Sequence, residues 1–294
     1  MDGETTTVGA LVGELAALMG GTGVSDPANE ARDIIAALKD APRFWSSVNA
    51  HAMVSAEDRQ LARRAASRRA VGEPFAYAVG SAAFRSLTLA VDDRVLIPRP
   101  ETELIVDIVL ELTKGTTGGT AIDIGTGSGA IALSLAAEGN FDRVLASDIS
   151  SDAIAVASAN ATRLGAAARA RLEFRVGSLF SPFAGERARL VVSNPPYIAG
   201  SEAAELPLSV RSWEPAVALF GGPDGMATIM RLIRDAPTVL EPGGWLVMEV
   251  DARRASWVVE AFSMYDSYAE IGVRLDLAGR ERFVVARLRE TQER

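Results

Sequence analysis

Asn194, Pro195, Pro196 and Tyr197 directly follow an apolar run, Leu190-Val191-Val192-Ser193. The run reads as a buried parallel strand. A strand that meets two prolines loses the N–H groups its ladder needs, so the chain must leave the sheet there. In open α/β sheets, ligands sit at the carboxyl ends of the strands. Asn194 offers an amide oxygen and an NH2 group there, Pro195 keeps its carbonyl as an acceptor, and Tyr197 adds a flat face. Two acceptors beside an aromatic ring suit a planar NH2 group held by both hydrogens. The same residues also suit an ordinary strand-ending turn, because Asn and Pro are common turn formers.

A second cluster lies upstream. Gly125-Thr126-Gly127-Ser128-Gly129 joins an apolar strand, Ala121-Ile122-Asp123-Ile124, to an apolar helix starting at Ala130. Glycines in such a turn let a ligand approach the backbone and meet the positive end of the helix. Gly125-x-Gly127-x-x-Ala130 matches the dinucleotide fingerprint loosely. Asp123-x-Gly125-x-Gly127-x-Gly129 matches the pattern of S-adenosylmethionine enzymes. Asp148 ends the next strand, where a carboxylate can accept both ribose hydroxyls; capping the helix after Ser150 is its other reading. Asp123 and Asp148 are expected to face the ligand together. Two carboxylates suit a cofactor bearing an ammonium and a sulfonium better than a pyrophosphate, which favours the methyl donor over a nicotinamide.

Composition removes other chemistries. The chain has no cysteine, which excludes disulfides, thiolate metal sites and a cysteine nucleophile, and so argues against cytosine C5 methylation. Its single histidine, His51, falls far from both clusters and leaves little for a histidine-built metal site or a serine triad; no metal is expected. A net charge of −8 argues against a non-specific grip on nucleic acid. Met1-Asp2-Gly3-Glu4 is acidic with no apolar h-region, and no apolar run reaches membrane-spanning length, so a cytoplasmic protein without membrane contact is expected.

The surrounding pattern supplies the scaffold. Residues 1–75 read as short helices, with one apolar stripe through Val8, Leu11, Val12, Leu15, Leu18 and Met19. Ser25-Asp26-Pro27 opens a second helix, and Ser55 with Asp58 opens a third. That third helix carries Arg59, Arg63, Arg64, Arg68 and Arg69, either a solvated face or a docking surface for an acidic or RNA-associated partner. Residues 76–95 read as a linking β-hairpin, with strands Tyr77–Val79 and Phe84–Val91 turning near Gly80-Ser81. Pro98 and Pro100 forbid regular structure, and a helix is expected from Glu101 with Leu104, Ile105, Ile108 and Leu112 on its buried face. From Thr120 strand and helix alternate, the pattern of a parallel sheet covered on both faces, so residues 96–294 form the catalytic domain.

With the glycine turn, Asp148 and Asn194-Pro195-Pro196-Tyr197 in this order, the chain resembles the peptide chain release factor glutamine methyltransferases. Gly72-Glu73-Pro74, Leu96-Ile97-Pro98-Arg99-Pro100-Glu101-Thr102-Glu103, Trp213-Glu214-Pro215, Phe220-Gly221-Gly222 with Asp224-Gly225, and Asp276-Leu277-Ala278-Gly279-Arg280 look like that family's landmarks. The resemblance covers nearly the whole chain. It implies an α/β fold: a class I S-adenosylmethionine-dependent methyltransferase with a Rossmann-like seven-stranded sheet, and a small helical N-terminal domain that docks the protein substrate. It implies methyl transfer to the side-chain nitrogen of the glutamine in the Gly-Gly-Gln motif of release factors. Gly125, Thr126, Gly127, Ser128, Gly129 and Asp148 then bind cofactor, with Leu179 near the adenine. Asn194 touches cofactor and substrate, and Pro195, Pro196 and Tyr197 hold the glutamine. The sequence departs from the family at Ser178, where an Asp is expected, and at Asp251-Ala252-Arg253-Arg254. Asn-Pro-Pro-Tyr is shared with amino-directed adenine methyltransferases, so adenine methylation of nucleic acid and glutamine methylation of a ribosomal protein stand as alternatives.

Overall fold

Short apolar runs bounded by glycine or acidic residues cannot each bury themselves, and from Thr120 they assemble into one seven-stranded sheet. The computed structural model describes residues 6–290. The sheet strands are β1 (Thr120–Ile124), β2 (Arg143–Asp148), β3 (Leu172–Val176), β4 (Ala188–Ser193), β5 (Leu240–Glu249), β6 (Tyr268–Leu275) and β7 (Glu281–Leu288). Their order is β6-β7-β5-β4-β1-β2-β3. β7 runs antiparallel to both neighbours, and the pairs from β3 across to β5 are parallel. Ile124 pairs with Ser147 of β2 on one side and with Ser193 of β4 on the other. The carboxyl ends of β1, β2 and β4 therefore finish level, which brings Gly125, Asp148 and Asn194 to one edge.

Every residue of β1 is buried, as the centre of a doubly covered sheet requires. One core face packs Ile122, Leu145, Val191 and Leu246 against Ile229, Leu232 and Ile233 of the helix Ala227–Asp235. The helix Ala130–Glu138 is buried from Ala130 through Ala136, so it shows no amphipathic stripe.

The chain divides into two compact units, one running to Ser81 and including Pro207–Trp213, the other comprising Ala82–Leu206 and the chain from Glu214. The break falls inside the segment 76–95. In the first unit, helices Val8–Met19, Pro27–Leu38 and Ala56–Ala70 enclose Leu11, Leu15, Met19, Ile34, Ala62 and Ala66. Asp26 caps the second helix with Pro27 in its first turn, and the Ser55 hydroxyl caps the third. The arginines of the third helix are mostly committed within the unit. Arg59 and Arg63 pair with Glu14, Arg68 with Glu73, and Arg69 with Glu30. Arg63 and Arg64 remain exposed, so this part of the helix is a solvated face.

Two local expectations are corrected. Tyr77–Val79 is not a strand: Phe75–Val79 is a short helix, ended by Gly80 at φ +78°. Aromatic and β-branched residues favour strands, but Pro74 opens a helical turn, with the Ala78 amide donating to its carbonyl at 3.0 Å, and Gly80 closes it. The paired strands are Ser81–Phe84 and Leu87–Ala90, with the turn at Arg85-Ser86. Arg85 sits at φ +53°, and its guanidinium bonds to Glu138, Asp107 and the Glu103 carbonyl hold that conformation. The helix after Pro100 starts as a 3₁₀ turn, Pro100–Thr102, before Glu103–Leu112. Its buried face is Ile105, Val106, Ile108 and Val109, not Leu104 or Leu112. The reading of Met1–Glu4 lies outside the described residues. Among the described residues, no helix is long and apolar enough to cross a membrane.

Candidate active site

Gly125, Gly127, Asp148, Leu179, Asn194, Pro195 and Pro196 line one cavity of about 260 Å³ at the carboxyl edge of the sheet. The glycine turn is folded back on β2: the amides of Gly125 and Thr126 both donate to the Ser147 carbonyl, at 2.8 and 2.9 Å. Gly127 and Gly129 take φ +54° and +86°, which side-chain-bearing residues adopt at a cost. A Cβ on Gly129 would also press on Ala157 and Leu133, at 3.2 Å from each. The five turn residues thus divide. Gly125 and Gly127 form the wall, while Thr126, Ser128 and Gly129 lie beneath it and hold its shape. Thr126 donates its hydroxyl to Asp123, and the Ser128 carbonyl accepts from Asn160.

Asp148 accepts from the Gly127 amide at 3.0 Å and from the Ser150 amide at 2.9 Å. It is not the helix cap, since the Ser150 hydroxyl performs that role for Ser151–Ala161. A carboxylate has about four lone-pair sites, so acceptor capacity remains for ligand hydroxyls. Burial raises its carboxyl above the ordinary value, a cost that ligand donors would relieve. Leu179, also on the wall, sits at φ +49°, a strained conformation for a branched residue placed against a ligand space. Ser178, the departure from the family pattern, is also on the wall.

Asp123 does not face the cavity as expected. It is fully buried under the turn, where its Oδ2 accepts from the Thr126 hydroxyl and the Ala132 amide, at 2.7 and 3.2 Å. Its Oδ1 is buried with no hydrogen-bond partner. Asp148, on the cavity wall, is therefore the carboxylate a cationic ligand would meet, with Asp123 separated from it by the turn. Burial pushes the Asp123 carboxyl up to about 7. A raised carboxyl stabilises the fold below its unfolded pKa, and that contribution is lost as pH rises through about 7. Asp123→Asn is therefore expected to stabilise the ligand-free protein above pH 7, by roughly 2–4 kcal/mol, with the advantage vanishing near pH 4. Thermal melts across pH check this; a difference independent of pH contradicts it.

The Asn194–Tyr197 loop is held from several directions. The Ser193 hydroxyl donates to the Ile124 carbonyl at 2.7 Å, locking the ends of β4 and β1 together. The Asn194 NH2 donates to the Thr102 hydroxyl at 3.2 Å, and that hydroxyl donates to Glu249 at 2.7 Å. Beyond the prolines, the Ile198 amide donates to Leu219 and the Gly221 amide to Ile198, at 3.0 Å each. Gly221 and Gly225 leave no room for side chains: a Cβ would lie 2.3 Å from the Pro196 oxygen at Gly221 and 2.1 Å from the Tyr197 oxygen at Gly225. Tyr197 is not on the cavity wall. It packs partly buried against the core, and burial pushes its hydroxyl up to about 12, so it stays protonated.

The Leu96–Glu103 stretch reaches the site through Leu96 on the wall and through Thr102. Buried Glu214 fastens it, pairing with Arg99 at 2.5 Å and accepting from the Ile97 amide at 3.3 Å. Arg254, in the second departure, is a buried guanidinium joining Glu202 to the Asp224 carbonyl, at 2.7 and 3.0 Å. Thr102, Glu214, Glu249 and Arg254 are absent from the expected site set. Thr102 and Glu214 lie in stretches that stood out as landmarks, but nothing near them in sequence shows what they touch.

Comparison with known proteins places this geometry. Residues 11–80 match the family model described as the PrmC N-terminal domain, and residues 102–209 match the methyltransferase small domain. A release factor glutamine methyltransferase of Moorella thermoacetica is 38% identical over 97% of this chain and 99% of its own length. Proteins of the same name from Synechocystis and Bacillus subtilis are 42% and 40% identical, over 75% and 73% of this chain and 76% and 75% of their own lengths. Among solved structures, the hMettl16 catalytic domain aligns with TM-score 0.59 at 14% identity, covering 78% of this chain and 82% of that one, a likeness of fold alone. A relative matching nearly end to end, and a cavity where the glycine turn, Asp148 and Asn194-Pro195-Pro196 meet, put the chain in the release factor glutamine methyltransferase family.

Proposed function

We propose that this protein methylates the side-chain amide nitrogen of the glutamine in the Gly-Gly-Gln motif of peptide chain release factors, using S-adenosylmethionine. The observation that carries this reading is Asn194 and Pro195 on the same cavity wall as Gly125, Gly127 and Asp148. An amide nitrogen is a poor nucleophile, because its lone pair is shared with the carbonyl. S-adenosylmethionine supplies an activated methyl on a sulfonium. What is left to the protein is orientation and electrostatics, and orientation is worth roughly 7–11 kcal/mol in favourable cases.

Asn194 Oδ1 and the Pro195 carbonyl accept the two amide hydrogens and aim the nitrogen. Accepting both also pushes electron density towards nitrogen as charge develops. The nitrogen sheds a proton after it is alkylated, so no base need stand ready, in keeping with a site without histidine or cysteine. Asp148 takes the ribose hydroxyls, the Gly125–Gly129 turn lets the cofactor approach the backbone, and Leu179 packs near the adenine. Pro196, on the cavity wall, helps Pro195 hold the glutamine, and Tyr197 supports them from the core side of the loop. The helical N-terminal unit docks the release factor, and a substrate of translation fits a cytoplasmic enzyme.

The test is transfer of label from methyl-labelled S-adenosylmethionine to purified release factor, ribosomal proteins and DNA in parallel. Label in the release factor is expected. Label confined to a ribosomal protein or to adenine would overturn the assignment of substrate.

A further inference from the structure

We propose that Thr102 and Glu249 are positioning residues that fix which way round the Asn194 amide stands. This rests on the reading above in one respect, that Asn194 Oδ1 receives a substrate N–H. The three side chains form a chain of hydrogen bonds, Asn194 Nδ2 to Thr102 Oγ1 at 3.2 Å and Thr102 Oγ1 to Glu249 Oε2 at 2.7 Å. Thr102 and Glu249 are 4% and 2% exposed, so water cannot substitute for either link. Neither residue lines the cavity.

An asparagine amide has two faces that differ chemically and hardly at all in shape, so packing alone does not choose between them. Hydrogen bonding does. An ionised Glu249 can only accept. The single Thr102 proton is spent on it, and the Thr102 oxygen can then only accept from Asn194. The Asn194 NH2 must turn towards Thr102, and its oxygen is left for the cavity. A protonated Glu249 can donate instead. Thr102 is then free to donate to Asn194 Oδ1, which turns the NH2 group into the cavity, where a substrate NH2 would meet donors.

The groups around Glu249 allow this switch. Thr102 and Glu101 face it from the 3₁₀ turn, Arg99 from just before that turn, Arg282 from β7, and Tyr197 from the loop. Arg282 and Arg99 favour the ionised form and Glu101 opposes it. Burial outweighs them and pushes the carboxyl up to about 7. The competent orientation is therefore present above that pH and lost as pH falls through it.

The experiment measures two things on the full-length protein: methyl-transfer turnover, and the side-chain ¹⁵N amide signals of Asn194. Thr102→Val, which keeps the shape and removes the hydroxyl, is expected to lower kcat roughly 10- to 100-fold, with the KM for S-adenosylmethionine changed less than about twofold. Thr102→Ser restores kcat. Glu249→Gln removes the acid limb of the kcat profile between about pH 6 and pH 8. The Asn194 amide signals shift over the same range in the wild type and not in Glu249→Gln. Wild-type turnover in a folded Thr102→Val, or Asn194 signals that ignore pH in the wild type, would overturn the proposal. If Thr102→Val does not fold, the Glu249→Gln profile and signals decide. Signals that titrate with Glu249 in a protein that methylates no release factor would support the coupling and overturn the substrate reading instead.

Discussion

Asn194→Ala is expected to lower turnover on a release factor by about 10²- to 10³-fold, with affinity for S-adenosylmethionine within a few-fold of wild type. The side-chain NH2 donates to Thr102 at 3.2 Å, which leaves its oxygen as the acceptor before any substrate arrives. Alanine removes the acceptor and leaves Pro195 as the sole oxygen aimed at the amide. The cofactor walls contributed by Gly125, Gly127, Asp148 and Leu179 stay in place. Single-turnover methyl transfer and calorimetric titration with the cofactor separate the two effects. Equal losses in both would make Asn194 a cofactor ligand and remove its role in orienting the substrate.

Gly221→Ala is expected to abolish most activity by pushing on the substrate loop from behind. Its Cβ would stand 2.3 Å from the Pro196 oxygen and 2.8 Å from the Gly225 oxygen. Both are backbone atoms, so no side chain can swing aside. The ring of Pro196 fixes φ, so its carbonyl can move only by turning ψ, which carries Tyr197 with it. The Asn194–Tyr197 loop must move, and displacements near 1 Å at a reacting group cost about 10²-fold in rate. Overpacking of this kind costs roughly 1–3 kcal/mol of stability, so the protein should still fold cooperatively. Gly200→Ala is the control, as nothing lies within 4 Å of the position. Melting curves and turnover on both variants check this; a fully active Gly221→Ala would show that the loop tolerates displacement and that its placement is not what aligns the amide.

The sheet and the order of its site residues were legible because their signals are local. An apolar run ending in glycines, in Asp148 or in two prolines reports both a strand and the edge where it stops. Register then does the rest, since Ile124 stands level with Ser147 and Ser193. Phe75–Val79 misled because its residue types favour strands, while Pro74 and Gly80 at its two ends close it into a single short helix. Asp123 misled for a related reason: the spacing marks it as part of the turn but does not show that Thr126 and Ala132 hold it under the wall. The network behind Asn194 was out of reach. Thr102 lies 92 residues from Asn194 and 147 from Glu249, and no periodicity links them. Gly221 and Gly225 were visible as glycines, but only the backbone passing over them explains why a side chain is excluded.

Tandem mass spectrometry of a release factor after incubation with the protein and S-adenosylmethionine tests the central claim most directly. A single methyl on the side-chain nitrogen of the Gly-Gly-Gln glutamine, absent when Asn194→Ala replaces the wild type, is the predicted result. An unmodified glutamine in an intact release factor, with cofactor binding demonstrated in the same sample, would contradict it.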